Sequence, residues 1–246
     1  MPKELFYVEP ERIARGRLHL NRAESHHLSH VLRRGPGDRF AAADGQGAVY
    51  ECEVVTIDKG TVVASICGTI ARLGEPEFLL TLAVAIPRRE KLEWVVEKGT
   101  EVGVSCFVPL TTERTVAVAK SVKEARCQKI ALAAMKQSRR SILPPVRKPQ
   151  PFPAFLSCVS EEIRLIAHEE VTGATVRRVL KPARSQTPAK TGVLCVGPEG
   201  GFTGEEIALA RACGFIPIGL GPRRLRTETA AIIGAGLILE LMGELG

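Results

Sequence analysis

The stretch Gly192-Val193-Leu194-Cys195-Val196-Gly197-Pro198-Glu199-Gly200-Gly201 decides the fold class. Its first half is a short apolar run with β-branched valines, which reads as a strand. Its second half holds three glycines and a proline around a single carboxylate. Glycine permits close backbone approach and φ angles closed to other residues, the properties of a loop that cradles a ligand. A plain tight turn accounts for the glycines but has no use for Glu199. The spacing does not fit the G-x-G-x-x-G of a dinucleotide site, and no Gly-Lys-Ser/Thr follows as in a P-loop. Glu199 would repel a pyrophosphate, whereas a sulfonium-bearing cofactor has no quarrel with a carboxylate.

Outward from this stretch the same texture repeats. Leu79–Ile86 is a continuous apolar run suited to a buried parallel strand, and Cys106–Leu110, Ile163–Ala167 and Phe215–Leu220 are shorter strands. Lys91–Val102, with Leu92, Val95, Val96 and Gly99 on one face, has helical spacing, as do residues 122–138 and Glu228–Met242. Thr203-Gly204-Glu205-Glu206 has the form of a capping box opening a helix to about Cys213. Alternation of this kind specifies an α/β domain with a parallel sheet, whose ligands sit at the carboxyl ends of the strands. A second strand-end loop, Leu220-Gly221-Pro222-Arg223-Arg224-Leu225-Arg226-Thr227-Glu228-Thr229-Ala230, packs three arginines beside one glutamate. Arginines at a helix start oppose the helix dipole, and such a cost at a strand-end loop points to function.

Toward the N-terminus the pattern changes. Leu5–Val8, Gly47–Ile57 and Thr61–Cys67 read as strands between glycine-rich turns at residues 35–38, 44–47 and 58–60, with one helix over about 23–33. Leu73-Gly74-Glu75-Pro76 reads as a linker. The expected organisation is a small, mostly β domain over residues 1–73 and an α/β domain over 74–246.

The 246 residues carry 34 basic and 27 acidic side chains, a formal charge of +7. Between Glu124 and Glu161 every charged residue is basic, as between Glu170 and Glu199 and between Glu206 and Glu228, and Arg12, Arg15, Arg17 and Arg22 form another cluster. Such runs suit a polyphosphate partner, and charge alone does not choose RNA over DNA. The seven cysteines are scattered without C-x-x-C spacing, as in a reducing compartment. No signal-peptide pattern opens the chain, and its longest apolar segment, Ala230–Leu239, is too short to span a bilayer; the expectation is a cytoplasmic protein with no membrane contact. His26, His27 and His30 form H-H-x-x-H without a fourth ligand, so no metal is expected. Trp94 and the Leu92/Val95/Val96 stripe read as core, and Gly234-Ala235-Gly236 as a site of close helix packing.

Together the two strand-end motifs resemble the ribosomal small-subunit RNA methyltransferase E family of the SPOUT superfamily, which makes N3-methyluridine in 16S ribosomal RNA. The likeness extends to Glu24-x-His26-His27-Leu28, Val31-Leu32-Arg33, Pro36-Gly37-Asp38, Lys98-x-Thr100-Glu101-x-Gly103 and Gln137-Ser138-x-Arg140. It implies a PUA-like β-barrel domain followed by an α/β trefoil-knot methyltransferase domain, a homodimer, S-adenosylmethionine as cofactor, and 16S rRNA or the small ribosomal subunit as partner. His168, Gly197, Glu199, Gly200, Gly201, Leu220, Gly221, Leu225 and Arg226 are then the candidate cofactor contacts. Arg12, Arg15, Arg33, Gln137, Arg139 and Arg140 are the candidate RNA contacts. The chain departs from the family's usual residues at Glu97, Gly99 and Lys136.

Uracil N3 carries a proton that must leave before the nitrogen can attack. A positioned carboxylate accepts it and an arginine steadies the resulting anion. Glu228 and Arg226 are the candidates, with Glu199 a second base. Glu228 reads equally as a charge partner of Arg223 or Arg226. Two other readings stay open: a ribose 2′-O-methyltransferase, whose last motif is Asn/Ser-rich, and a non-catalytic RNA-binding protein on the same fold.

Overall fold

The computed structural model describes residues 4–87, 89–115, 122–171, 173–180 and 189–245. They gather into two compact units, residues 1–75 with 132–143, and residues 76–131 with 144–246.

The first unit contains β1 (Leu5–Tyr7), a 3-10 turn (Pro10–Arg12), β2 (Ile13–Ala14), β3 (Arg17–His19), α1 (Arg22–His26), β4 (Arg39–Ala43), β5 (Ala48–Asp58) and β6 (Thr61–Ala71). The strands form one sheet in the order β1-β4-β5-β6-β3-β2. Only β1 and β4 run parallel; the other pairings are antiparallel. Register shifts at Glu51/Cys52 and Val54/Thr56 interrupt the long β5–β6 ladder, the kind of irregularity that bends and twists a strand pair. Phe6, Leu18, Leu20, Leu28 and Phe40 fill the core, with the Phe6 and Phe40 rings edge-on at 5.4 Å.

The helix expected over 23–33 is shorter and less regular. The Asn21 side chain caps α1 by accepting from the Glu24 amide. From His27 to Val31 the helix continues as a π turn, and Arg33 lies beyond it at φ +55. The three histidines do not converge: His26 and His30 stack at 4.7 Å, while His27 turns to Phe6 at 5.6 Å. Among the described residues no group of three or more His, Cys, Asp or Glu is placed to hold a metal.

Residues 132–143 belong to this unit through Met135, which packs with Leu5, Ala41, Ala43 and Val49. Lys136 pairs with Glu24 and lies 6.0 Å from the Phe6 ring centroid, so this departure from the family's usual residue has a local partner. Arg140 corrects a sequence expectation. It is 2% exposed, its guanidinium donates to Glu75 Oε2 at 2.8 Å, and it cannot serve as an RNA contact. Glu75 also accepts from the Ser141 and Ile142 amides, each at 2.8 Å, so one buried carboxylate is satisfied by three groups of the 140–142 turn.

The second unit contains β7 (Leu79–Ala85), α2 (Arg89–Val102), β8 (Cys106–Thr111), α3 (Glu124–Ser138, its last turns in the first unit), β9 (Gln150–Pro151), α4 (Phe152–Cys158), β10 (Ile163–Ala167), α5 (Val176–Leu180), β11 (Thr191–Val196), α6 (Gly204–Ala212), β12 (Ile216–Ile218) and α7 (Thr227–Met242). All its strands are parallel, in the order β12-β10-β11-β7-β8-β9. The expected capping box is present with both bonds, Glu206 N to Thr203 Oγ1 and Thr203 N to Glu206 Oε2. Leu92, Val95 and Val96 are buried as expected, but Trp94 is 42% exposed: it lies off the stripe on the outer face of α2. A side chain at Gly99 would put its Cβ 2.5 Å from the Phe107 ring, which explains glycine where the family usually has alanine. Gly234 packs in the same way against Leu194, whereas nothing lies near Gly236.

All seven cysteines are free thiols. Burial pushes the Cys52 thiol up to about 12 and raises Cys195 as well, so both serve as small apolar side chains. No helix among the described residues is long and apolar enough to cross a membrane.

Candidate active site

Because β12, β10 and β11 are parallel neighbours, their carboxyl ends open on one edge of the sheet. The segments that follow them hold the candidate cofactor residues: His168 after β10, Gly197–Gly201 after β11, and Leu220–Arg226 after β12. Specific bonds tie these segments together. The Arg224 guanidinium lies 3.2 Å from Glu169 Oε2 and donates to the Glu199 carbonyl at 3.1 Å. Thr227 Oγ1 donates to the Gly197 carbonyl at 3.0 Å. The His168 amide donates to the Ile218 carbonyl at 3.0 Å, and its ring Nε2 is 3.5 Å from Glu170 Oε2. Leu220 and Leu225 are half-buried.

Glycine is required where the loops take left-handed backbone, Gly201 at φ +69 and Gly221 at φ +113. At Gly197 the constraint is space, since a Cβ would lie 3.0 Å from the Phe202 ring. Arg114, in the segment after β8, donates to the Gly200 carbonyl at 2.7 Å. The Gly197–Gly201 loop is thus held by arginines from two other loops.

The carboxylates Glu199 and Glu228 meet at Lys91, a residue that neither strand-end motif contains and that the sequence alone does not mark. Lys91 Nζ lies 3.3 Å from Glu199 Oε1 and 3.3 Å from Glu228 Oε2. Glu228 stands in the first turn of α7, where the helix dipole favours a negative charge. Its side chain is 14% exposed, and its Oε2 is buried without a hydrogen-bond partner despite the ion pair. The expected pairing of Glu228 with Arg223 or Arg226 is replaced by Lys91. Arg226 is the exposed N-cap residue of α7, and its side chain makes no capping bond. The available signal for Lys91 is its place at the start of a helix that follows β7, a neighbour of β11 on the same sheet edge.

The candidate RNA contacts, Arg140 apart, are exposed residues of the first unit: Arg12, Arg15, Arg33, Gln137 and Arg139. Arg12 is paired with Glu9 at 3.3 Å. Among the described residues, the non-glycine positions with left-handed backbone are Arg15, Arg33, Lys59, Arg72 and Arg139. Such positions ordinarily go to glycine or asparagine. Here each turn carries a cation instead.

Residues 75–239 match the model of an RNA methyltransferase domain, and residues 20–67 that of an RNA methyltransferase PUA domain. The chain is 37% identical to ribosomal RNA small subunit methyltransferase E of Synechocystis, over 96% of this chain and 77% of that protein. It is similar to ribosomal RNA small subunit methyltransferase E from Neisseria gonorrhoeae, solved bound to S-adenosyl methionine, with a TM-score of 0.82, 29% identity and 97% of each chain covered. A protein from Legionella pneumophila, solved with bound S-adenosylmethionine, superposes with a TM-score of 0.82 at 30% identity over 98% of each chain. The two folds expected from sequence, PUA-like and SPOUT α/β, are those of these relatives.

Proposed function

This chain belongs to the ribosomal RNA small subunit methyltransferase E family, and we propose that it is an S-adenosylmethionine-dependent methyltransferase acting on N3 of a uridine in 16S ribosomal RNA. The observation that carries this reading is the pair of carboxylates, Glu199 and Glu228, gathered by Lys91 where β11 and the last helix meet.

The residues present fit the cofactor. Loops that require glycine at Gly201 and Gly221 leave their backbone accessible, and the exposed Glu199 carboxylate at the same loop suits a cationic sulfonium. His168, Gly197, Glu199, Gly200, Gly201, Leu220, Gly221, Leu225 and Arg226 would hold it. When bound, S-adenosylmethionine supplies a methyl group already activated for displacement by its sulfonium. The chain's own task is to prepare the nucleophile. Glu228 takes the proton from uracil N3, and Arg226, exposed at the loop's end, faces the anion that develops. Glu199 serves the cofactor side.

Left-handed turns carrying Arg15, Arg33 and Arg139 support an RNA-binding role for the first unit. The same reading includes a trefoil knot in the second unit. It also includes a homodimer, for which the exposed Ile233 and Leu237 of α7 are the apolar surface, and action in the cytoplasm.

The test is product identity. Small subunits or 16S rRNA lacking the modification are incubated with the protein and labelled S-adenosylmethionine, and the nucleosides are separated by mass spectrometry. N3-methyluridine is the expected product. A ribose-methylated nucleoside would assign the alternative chemistry, and cofactor binding without any RNA product would contradict the reading.

A further inference from the structure

We propose that Lys91 is a positioning residue for proton removal from the uracil, an inference that rests on the reading of Glu228 as the base. Its ammonium holds two carboxylates that would otherwise repel one another. Glu199 Oε1 and Glu228 Oε2 each lie 3.3 Å from Nζ, the first as a hydrogen bond and the second as an ion pair alone. Lysine suits this task because its charge is a compact point that reaches two acceptors, where a guanidinium would present a flat fork to one.

The position of Lys91 supports the assignment independently of the distances. It is the third residue of α2, in the turn where the helix dipole disfavours a cation. The structure compensates with the two carboxylates that pair with it. The arginines of the last loop do not take the place of Lys91. Arg224 pairs with Glu169 and uses the Glu199 carbonyl rather than its carboxylate, and Arg226 is exposed at the α7 N-cap.

The arrangement also keeps charge balanced during the reaction. Lys91 occupies the Oε2 edge of Glu228 and leaves the remaining oxygen for the substrate. The N3–H bond breaks, an O–H bond forms on Glu228, and the lone pair stays on N3. Glu228 becomes neutral at that moment, yet Lys91 retains Glu199 as its counter-ion and is not left as an unpaired charge. A single ion pair would lack this property.

The test is single-turnover methylation at saturating cofactor and RNA, with cofactor titration and melting temperature measured alongside. Lys91→Met is expected to slow the reaction by about 10- to 100-fold, less than loss of the base itself, with cofactor affinity and RNA KM within about threefold. Lys91→Arg recovers part of the rate. In Lys91→Met/Glu199→Gln the repelling carboxylate is gone, so the double variant is faster than Lys91→Met alone, a coupling that damage to the fold would not produce. A wild-type rate in Lys91→Met, or a double variant no faster than the single one, overturns the proposal provided that Glu228→Gln is slow. A wild-type rate in Glu228→Gln overturns the underlying reading of Glu228, and this inference with it.

Discussion

Thr227 Oγ1 donates a hydrogen bond to the carbonyl of Gly197 at 3.0 Å, joining the first residue of α7 to the first residue of the glycine-rich loop. Thr227 is 3% exposed, so its hydroxyl has little access to water. It fixes the start of the helix that carries Glu228 against the loop that carries Glu199.

Thr227→Val keeps the shape and removes the donor. Losing the bond to a half-buried carbonyl costs about 0.5–1.5 kcal/mol. Denaturant unfolding should show that loss, and cofactor titration should show weaker binding because the two loops are no longer registered. Unchanged stability and affinity would mean that the bond positions neither loop.

Gly221 and Gly204 form a matched pair for substitution by alanine. At both, the space a Cβ would occupy has no atom within 4 Å, but Gly221 is at φ +113 and Gly204 is not in that region. Gly221→Ala therefore meets backbone strain alone, about 1–3 kcal/mol, and should reduce the rise in melting temperature that S-adenosylmethionine produces. Gly204→Ala, at the first position of α6, should be neutral or stabilise by about 0.4–1 kcal/mol. Equal effects at the two sites would contradict the conformational argument.

Arg140 and Arg15 separate stability from RNA binding. Arg140→Met leaves Glu75 buried without its cation, a change that costs about 3–5 kcal/mol, and thermal unfolding should report it. Arg15→Asn keeps a residue that tolerates left-handed backbone and removes only charge. RNA affinity should fall, and its dependence on log salt should flatten by roughly 0.7–0.9 for each phosphate no longer neutralised. An unchanged slope would remove Arg15 from the interface.

What could be read in the sequence divides along physical lines. The capping box at Thr203 and Glu206 is a local pattern with local bonds, and it appears as written. The two strand-end motifs are legible because glycine and clustered charge are costly without a purpose. The partner of Glu228 is not legible, because Lys91 lies in a different element and only the parallel order of β7 beside β11 brings it near. Arg140 misleads because its charge fits an RNA contact equally well, and its burial depends on a glutamate in what reads as a linker. The two-residue strands β2 and β9 are too short to carry a period. Trp94 reads as core by its side chain, although its helical phase places it off the Leu92/Val95/Val96 stripe.

Glu228→Gln tests most directly whether this cluster is the methylation centre. The substitution keeps the size of the side chain and removes its ability to accept a proton. Single-turnover methylation of 16S rRNA should slow by about 10² to 10⁴, the usual worth of a positioned base. Cofactor affinity should barely change, and the rate should recover in part at high pH, where uracil loses its N3 proton to solvent. A wild-type rate, or a loss of rate that follows a loss of cofactor binding without rescue at high pH, would contradict the account.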